Sequence, residues 1–185
     1  MSNITAKDTA ISGVQVINRS RKADDRGFLE RLFDATQLQP VLAGRKVEQI
    51  NRTKTLKVGT VRGMHLQLSP AAELKIVSCL HGSVFDVAVD LRPGSPTFGT
   101  WFGCELTSDN GRALVIPEGC AHGVQALQDD CDLLYVHTAP YAPVEETGLD
   151  PLDPDVGITW PIAPASLSAR DISLPPLSQW KRGRT

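Results

Sequence analysis

Cysteine is scarce and scattered in this chain. Cys79, Cys104, Cys120 and Cys131 stand isolated among apolar residues, with no CxxC pair. They read as buried thiols behaving as small hydrophobes, and a disulfide framework or a zinc site is disfavoured. Long apolar runs are missing: nothing approaches the roughly eighteen consecutive apolar residues that a membrane-crossing helix needs. Met1 to Gly13 also lacks the basic start and apolar middle of a secretory leader. The expectation is a cytoplasmic protein with no membrane partner. A large excess of one charge is missing too, since the formal net charge is -2 and the pI about 6.1. That balance exerts no general pull on nucleic acid, so an anionic ligand has to be held by local basic residues.

What is present is 185 residues with 41% hydrophobic and 22% charged content, enough for one domain with a substantial core and too few for two ordinary ones. The pattern predicts a single unit over 1–185, with a core at about 45–140, N-terminal strands at 9–33 and C-terminal loops at 141–185. Residues 9–20 read as a strand, Asp24-Asp25-Arg26-Gly27 as a turn and Phe28 to Phe33 as a second strand. A short helix is expected over Asp34 to Leu42, capped by Asp34 and limited by Pro40, followed by an extended piece at Lys46 to Arg52. From residue 58 the alternation predicts strands at 58–67, 74–80, 83–91, 98–107, 112–116, 122–127 and 131–138. Many short strands with turn chemistry between them predict an all-β sandwich or jelly roll. After Tyr141, prolines at 143, 151, 154, 161, 164, 175 and 176 exclude regular sheet and predict a wrap of ordered loops with one short helix. Lys181 to Thr185 read as a frayed, solvated end.

Two stretches carry the chemistry. Val61-Arg62-Gly63-Met64-His65-Leu66-Gln67 places polar groups opposite Val61 and Met64, a face that reads as a site lining. Its counterpart is Gly111-x5-Pro117-x-Gly119-x2-His122, the spacing of a cupin second motif; Gly59-x5-His65-x-Gln67 resembles the first with its second histidine replaced. A first-row metal takes four or more donors, and only His65, Gln67, Glu73 and His122 are on offer here. Glutamine is a poor ligand, so a metal site is disfavoured. His65 beside Arg62, Gln67 and Lys75 then suits a base in an anion-binding cavity, against the bland reading of a hydrogen-bonded packing residue. Lys75 and Tyr135 each have two readings. A lysine on an outer face is a solubilising group, whereas on a concave face it stabilises an oxyanion; Tyr135 is a core aromatic or a proton donor. Periodicity alone does not choose.

Taken in order, Asp25-Arg26-Gly27-Phe28, Gln49-Ile50-Asn51, Val61-Arg62-Gly63-Met64-His65, Val84-Phe85-Asp86-Val87-Ala88-Val89-Asp90-Leu91-Arg92, Ser95-Pro96-Thr97-Phe98-Gly99, Ile116-Pro117-Glu118-Gly119, Ala121-His122-Gly123, Tyr141-Ala142-Pro143 and Gly157-Ile158 with Trp160-Pro161 resemble the dTDP-4-dehydrorhamnose 3,5-epimerase family of sugar-nucleotide cupins, from about Gly13 to Leu177. The resemblance implies a cupin-type double-stranded β-helix jelly roll with short peripheral helices. It also implies a cofactor-free homodimer acting on a 4-keto-6-deoxyhexose carried by a nucleoside diphosphate. By the same resemblance His65 is the base, Asp171 its orienting carboxylate, Lys75 the enolate stabiliser and Tyr135 the proton donor. Substrate binding maps to Arg26, Gln49, Asn51, Arg62, His122, Tyr141, Glu146 and Arg170, the last replacing a lysine. Leu29, Arg31 and Leu66 depart from the family pattern and leave the nucleotide base and the sugar open. Two further readings stand beside epimerisation at C3, C5 or both: a 3,4-ketoisomerase on the same substrate class, and a catalytically silent sugar-nucleotide-binding cupin.

Overall fold

The computed structural model describes residues 3–180; the end expected to fray, 181–185, lies outside the described residues. Alternation of apolar and polar residues draws most of the chain into strands. In chain order these are β1 (Ile4–Asp8), β2 (Gln15–Arg19), β3 (Lys22–Asp24), β4 (Gly27–Leu29), β5 (Gln49–Thr55), β6 (Val61–Gln67), β7 (Lys75–His81), β8 (Ser83–Asp90), β9 (Trp101–Thr107), β10 (Arg112–Ile116), β11 (Cys120–Ala126), β12 (Cys131–His137) and β13 (Glu146–Gly148). A six-stranded sheet ordered β1-β2-β10-β7-β12-β5 faces a five-stranded sheet ordered β13-β6-β11-β8-β9, and β3 and β4 form a separate hairpin. The pairs are antiparallel, and the two sheets make a cupin-type jelly roll.

Period-two alternation sorts the side chains into three apolar layers. Between the sheets lie Val77 and Cys79 of β7, Leu133 of β12, Leu114 and Ile116 of β10, and Val84, Ala88 and Val124 from the facing sheet. Their neighbours Ile76, Val115 and Val136 turn to the back of the larger sheet, against Ile4, Leu38 and Leu42. Behind the smaller sheet Met64, Val87 and Val89 pack under the C-terminal wrap, which supplies Leu149, Val156 and Leu177. Each fully buried aliphatic side chain contributes about 1.5–3 kcal/mol relative to exposure. The four cysteines are unpaired thiols, and burial pushes Cys79, Cys104 and Cys120 up to about 12, so they stay protonated.

The seven strands expected after residue 58 are all present, with ends shifted by a few residues. The N-terminal expectations need correction. Residues 9–20 are not one strand: β1 and β2 form a hairpin whose turn contains Gly13 at φ +80. Thr9 closes it, its hydroxyl accepting from the Ile11 N–H at 3.2 Å and donating to the Val14 carbonyl at 2.8 Å. The strand expected over 28–33 stops at Leu29, because Glu30 and Arg31 are drawn to Arg21 and Asp34.

The expected helix shrinks to α1 (Gln39–Leu42), and Pro40 sits in its first turn instead of ending it, a position where a missing N–H costs nothing. Asp34 caps the preceding turn, accepting from the Thr36 and Gln37 N–H groups at 3.0 and 3.1 Å. The tail also differs from expectation. The proline-free window between Pro143 and Pro151 allows β13 to pair with β6, and two short helices follow, α2 (Ala169–Ile172) and α3 (Leu177–Trp180). Among the described residues no helix is long and apolar enough to cross a membrane.

Candidate active site

The two histidine stretches become adjacent strands of one sheet, with His65 directly opposite His122. Between His65 and Arg62, β6 uses three steps where β11 uses two, from His122 to Val124. This β-bulge turns both Arg62 and His65 inward, which strict alternation forbids. Gly63 permits it: at φ +123 a Cβ there would stand 2.6 Å from the Gly123 Cα and 2.7 Å from the His122 carbonyl oxygen.

The inner faces at this end of the roll enclose a cavity of about 260 Å³. Of the residues singled out from sequence, His65, Lys75, Tyr135, Asn51, Arg62, His122, Tyr141 and Glu146 all line it. Asp171 and Arg170 stand behind His65 in an adjoining recess. Gln49 reaches the site through Asn51, whose Oδ1 accepts from Gln49 Nε2 at 3.0 Å. Arg26 is elsewhere: it lies at the exposed tip of the β3–β4 hairpin, paired with Asp24 at 2.6 Å, beside Phe28 and Leu29. The two open orientations are settled by the concavity, since β7 and β12 turn Lys75 and Tyr135 to the same face as Val77 and Leu133.

His65 Nε2 lies 2.7 Å from Asp171 Oδ1. The carboxylate is carried by α2, whose cap Ser168 accepts from the Asp171 N–H at 3.1 Å and fixes the turn. Burial lowers the His65 pKa, and the Arg170 charge lowers it further; Asp171 opposes both without reversing them. The imidazole is therefore neutral at neutral pH. Burial, aided by the charge of Asp86, raises the Tyr135 pKa, so the phenol keeps its proton. A neutral imidazole and a protonated phenol thus face one space.

Glu73 and His137 complete this lining, and Asp86 supports it from behind His122. Asp86, wholly buried, holds His122 Nε2 at 2.7 Å. His137 Nδ1 lies 2.7 Å from Glu73 Oε2, and Glu73 Oε1 3.2 Å from Lys75 Nζ. The signals were present: Asp86 shares the inner face with Val84 and Ala88, and His137 follows Tyr135 by two residues. Glu73 has no feature in the sequence that marks it as a partner of Lys75. In the structure Glu73, His65, His122 and Gln67 each have other partners: Lys75 and His137, Asp171, Asp86, and the backbone at Ala71, Pro140 and Ala142. Among the described residues no three His, Cys, Asp or Glu side chains converge as a metal site.

At the mouth, Tyr141 donates its hydroxyl to Glu146 at 2.7 Å, and Arg170 grips the same carboxylate with two nitrogens at 2.7 and 3.0 Å. Burial alone would raise the Glu146 pKa, but these bonds outweigh it and hold the group ionised. Arg62 is braced by Thr55 Oγ1 at 3.0 Å and the Lys54 carbonyl at 3.2 Å.

Fold and cavity together define a cupin-type jelly roll whose interior sets paired titratable groups around one shared cavity. The comparisons with known proteins narrow this class. A family model described as dTDP-4-dehydrorhamnose 3,5-epimerase matches residues 8–179. The chain is 40% identical over 171 residues to the dTDP-4-dehydrorhamnose 3,5-epimerase of Sinorhizobium fredii, covering 92% of this chain and 88% of that protein. It is 39% identical over 163 residues to the dTDP-4-dehydrorhamnose 3-epimerase of Streptomyces niveus, covering 87% and 78%. The crystal structure of a dTDP-6-deoxy-D-glucose-3,5-epimerase from Legionella pneumophila in complex with dTDP-4-keto-L-rhamnose is similar with a TM-score of 0.90 at 36% identity, over 95% of this chain and 94% of that one. The chain belongs to the dTDP-4-dehydrorhamnose 3,5-epimerase family.

Proposed function

We propose that this protein epimerises a dTDP-linked 4-keto-6-deoxyhexose by removing and returning protons beside the ketone. The C4 carbonyl acidifies the hydrogens on C3 and C5. His65 takes one of them, the electron pair moves to the C4 oxygen as an enolate, and Lys75 stabilises that charge. Tyr135 delivers a proton to the opposite face of the carbon and recovers its own from solvent. Asp171 orients His65 and offsets the imidazolium charge as it forms. The observation that carries this reading is the convergence of a neutral histidine, a protonated phenol and the Lys75 side chain on one cavity.

Nucleotide binding is assigned to Arg62, Gln49, Asn51, His122, Tyr141, Glu146 and Arg170, with Arg62 supplying a guanidinium fork for the diphosphate. Arg26 enters this scheme only through a second copy of the chain, and the proposed state is a cytoplasmic homodimer. Phe28 and Leu29, 58% and 60% exposed beside Arg26, are apolar enough to be covered by that copy.

The test is solvent deuterium uptake. With dTDP-4-keto-6-deoxyglucose in heavy water, the protein is expected to introduce deuterium at C3, at C5 or at both, resolved by NMR. Uptake at C3 alone gives the outcome named for the Streptomyces niveus relative. No uptake at either carbon contradicts the reading, and tight binding without uptake replaces it with a silent binding protein. A carbonyl moved to C3 replaces it with a ketoisomerase.

A further inference from the structure

The wall formed by β7 and β12 carries coupled groups that the proton transfers do not use. Glu73 and Lys75 are 8% and 7% exposed, and their contact is 3.2 Å. The second Glu73 oxygen is taken by His137 at 2.7 Å. The His137 ring lies against Tyr135 at 5.9 Å between centroids and 13° between planes. Its Nε2 is 3.4 Å from Asn51 Nδ2, Asn51 is bonded to Gln49, and Gln49 Oε1 accepts the Tyr141 N–H at 3.1 Å. These partners fit one tautomer of His137, with Nδ1–H donating to the carboxylate and Nε2 accepting from the amide.

A lysine folded into a cavity loses hydration that its ammonium needs, and burial by itself favours the neutral amine. A carboxylate that is itself kept ionised reverses this. Glu73 meets the condition: burial raises its pKa, but the His137 hydrogen bond and the Lys75 charge more than offset it, and the net shift is downward. An ammonium has three donors, so one spent on Glu73 still leaves donors for a ligand oxygen.

We propose that Glu73, clamped by His137, is a positioning residue that holds Lys75 protonated and aimed into the cavity at the substrate's C4 oxygen. The proposal rests on the epimerase reading for the oxygen it names, but the clamp itself is a property of the ligand-free protein. The other titratable groups facing this space are Arg62, His65, His122, Tyr135, Tyr141 and Glu146. Glu146 is engaged by Arg170, so Glu73 is the carboxylate that pairs with Lys75 in this space.

The experiment is a carbon-13 NMR titration of the lysine Cε signals in the full chain, with Lys75 assigned by its loss in Lys75→Arg. In Glu73→Gln the Lys75 titration is expected at least about one pH unit below that of the wild type. Glu73→Asp restores part of the interval, and His137→Gln gives a smaller shift in the same direction. Superimposable titrations of Glu73→Gln and wild type overturn the proposal. If Glu73→Gln does not fold, His137→Gln carries the same test, with an unshifted titration as the contradicting result. In the deuterium-uptake assay the alkaline limb of kcat/KM moves down with the titration, a loss of about tenfold above the new limb with little change at neutral pH. A loss uniform across pH reduces Glu73 to packing and contradicts the clamp. Because the titration needs no turnover, absence of uptake by the wild type contradicts the epimerase reading and leaves the clamp to be judged by NMR.

Discussion

Two histidine–carboxylate pairs face one another across β6 and β11, with the same 2.7 Å separation and different surroundings. The His65 side chain is 25% exposed, and its carboxylate comes from a helix 106 residues further along the chain. The His122 side chain is 7% exposed, and its partner Asp86 is wholly buried on the neighbouring strand. Both rings line the cavity, but the first pair is the more exposed and is modulated by Arg170 from outside, whereas the second is built into the sheet. In the proposed mechanism the first dyad exchanges a proton with the ligand, and the second holds a ring in a fixed pose. An identical hydrogen bond therefore sits in two different settings, and the proposed mechanism uses only the first for proton transfer.

The largest expected effect separates the two by rate. His65→Ala should lower kcat for deuterium uptake by about 10²–10⁴-fold, the span of a lost general base, with the circular dichroism spectrum unchanged. His122→Ala should raise KM and alter kcat much less. Equal kcat losses in the two variants would erase the distinction.

A smaller effect separates them by stability. Asp86→Ala strands a buried imidazole nitrogen and should cost about 1–3 kcal/mol in urea unfolding, whereas Asp171→Ala should cost less while depressing turnover more. The reverse ranking would mean that the second dyad is the working one.

The smallest effect is a shift in pH. His65 must be neutral to accept a proton, and its pKa is lowered by burial and by Arg170. The acid limb of kcat/KM should therefore lie below the ordinary imidazole value of about 6.5. Asp171→Asn removes a charge that favours imidazolium and should move the limb further down. Arg170→Gln removes one that disfavours it and should move the limb up. Shifts of the opposite sign would detach the limb from His65.

The sheets were legible because alternation in stretches such as Leu133, Tyr135 and His137 is a local property that packing only reinforces. The N-terminal misreading has a physical source: β-favouring residues run on either side of Ser12 and Gly13, and only the pairing of β1 with β2 makes them a hairpin. In the site, Arg62 and His65 could be placed on one face only through a bulge at Gly63, a feature of the neighbouring strand's register as much as of the sequence. Asp171 is legible through family resemblance alone, since no local pattern announces a contact made by the packing of a distant tail. Asp86 and His137 were within reach of alternation, but a polar residue on an inner face carries no mark of its partner.

The central claim is that one face of the sugar loses its proton to His65 and the other receives one from Tyr135. Its most direct test is Tyr135→Phe with substrate deuterated at C3 and C5, following label washout and product configuration together. The account predicts continued washout with almost no inverted product, because the base survives and the opposing acid is gone. Inversion at the wild-type rate would contradict it.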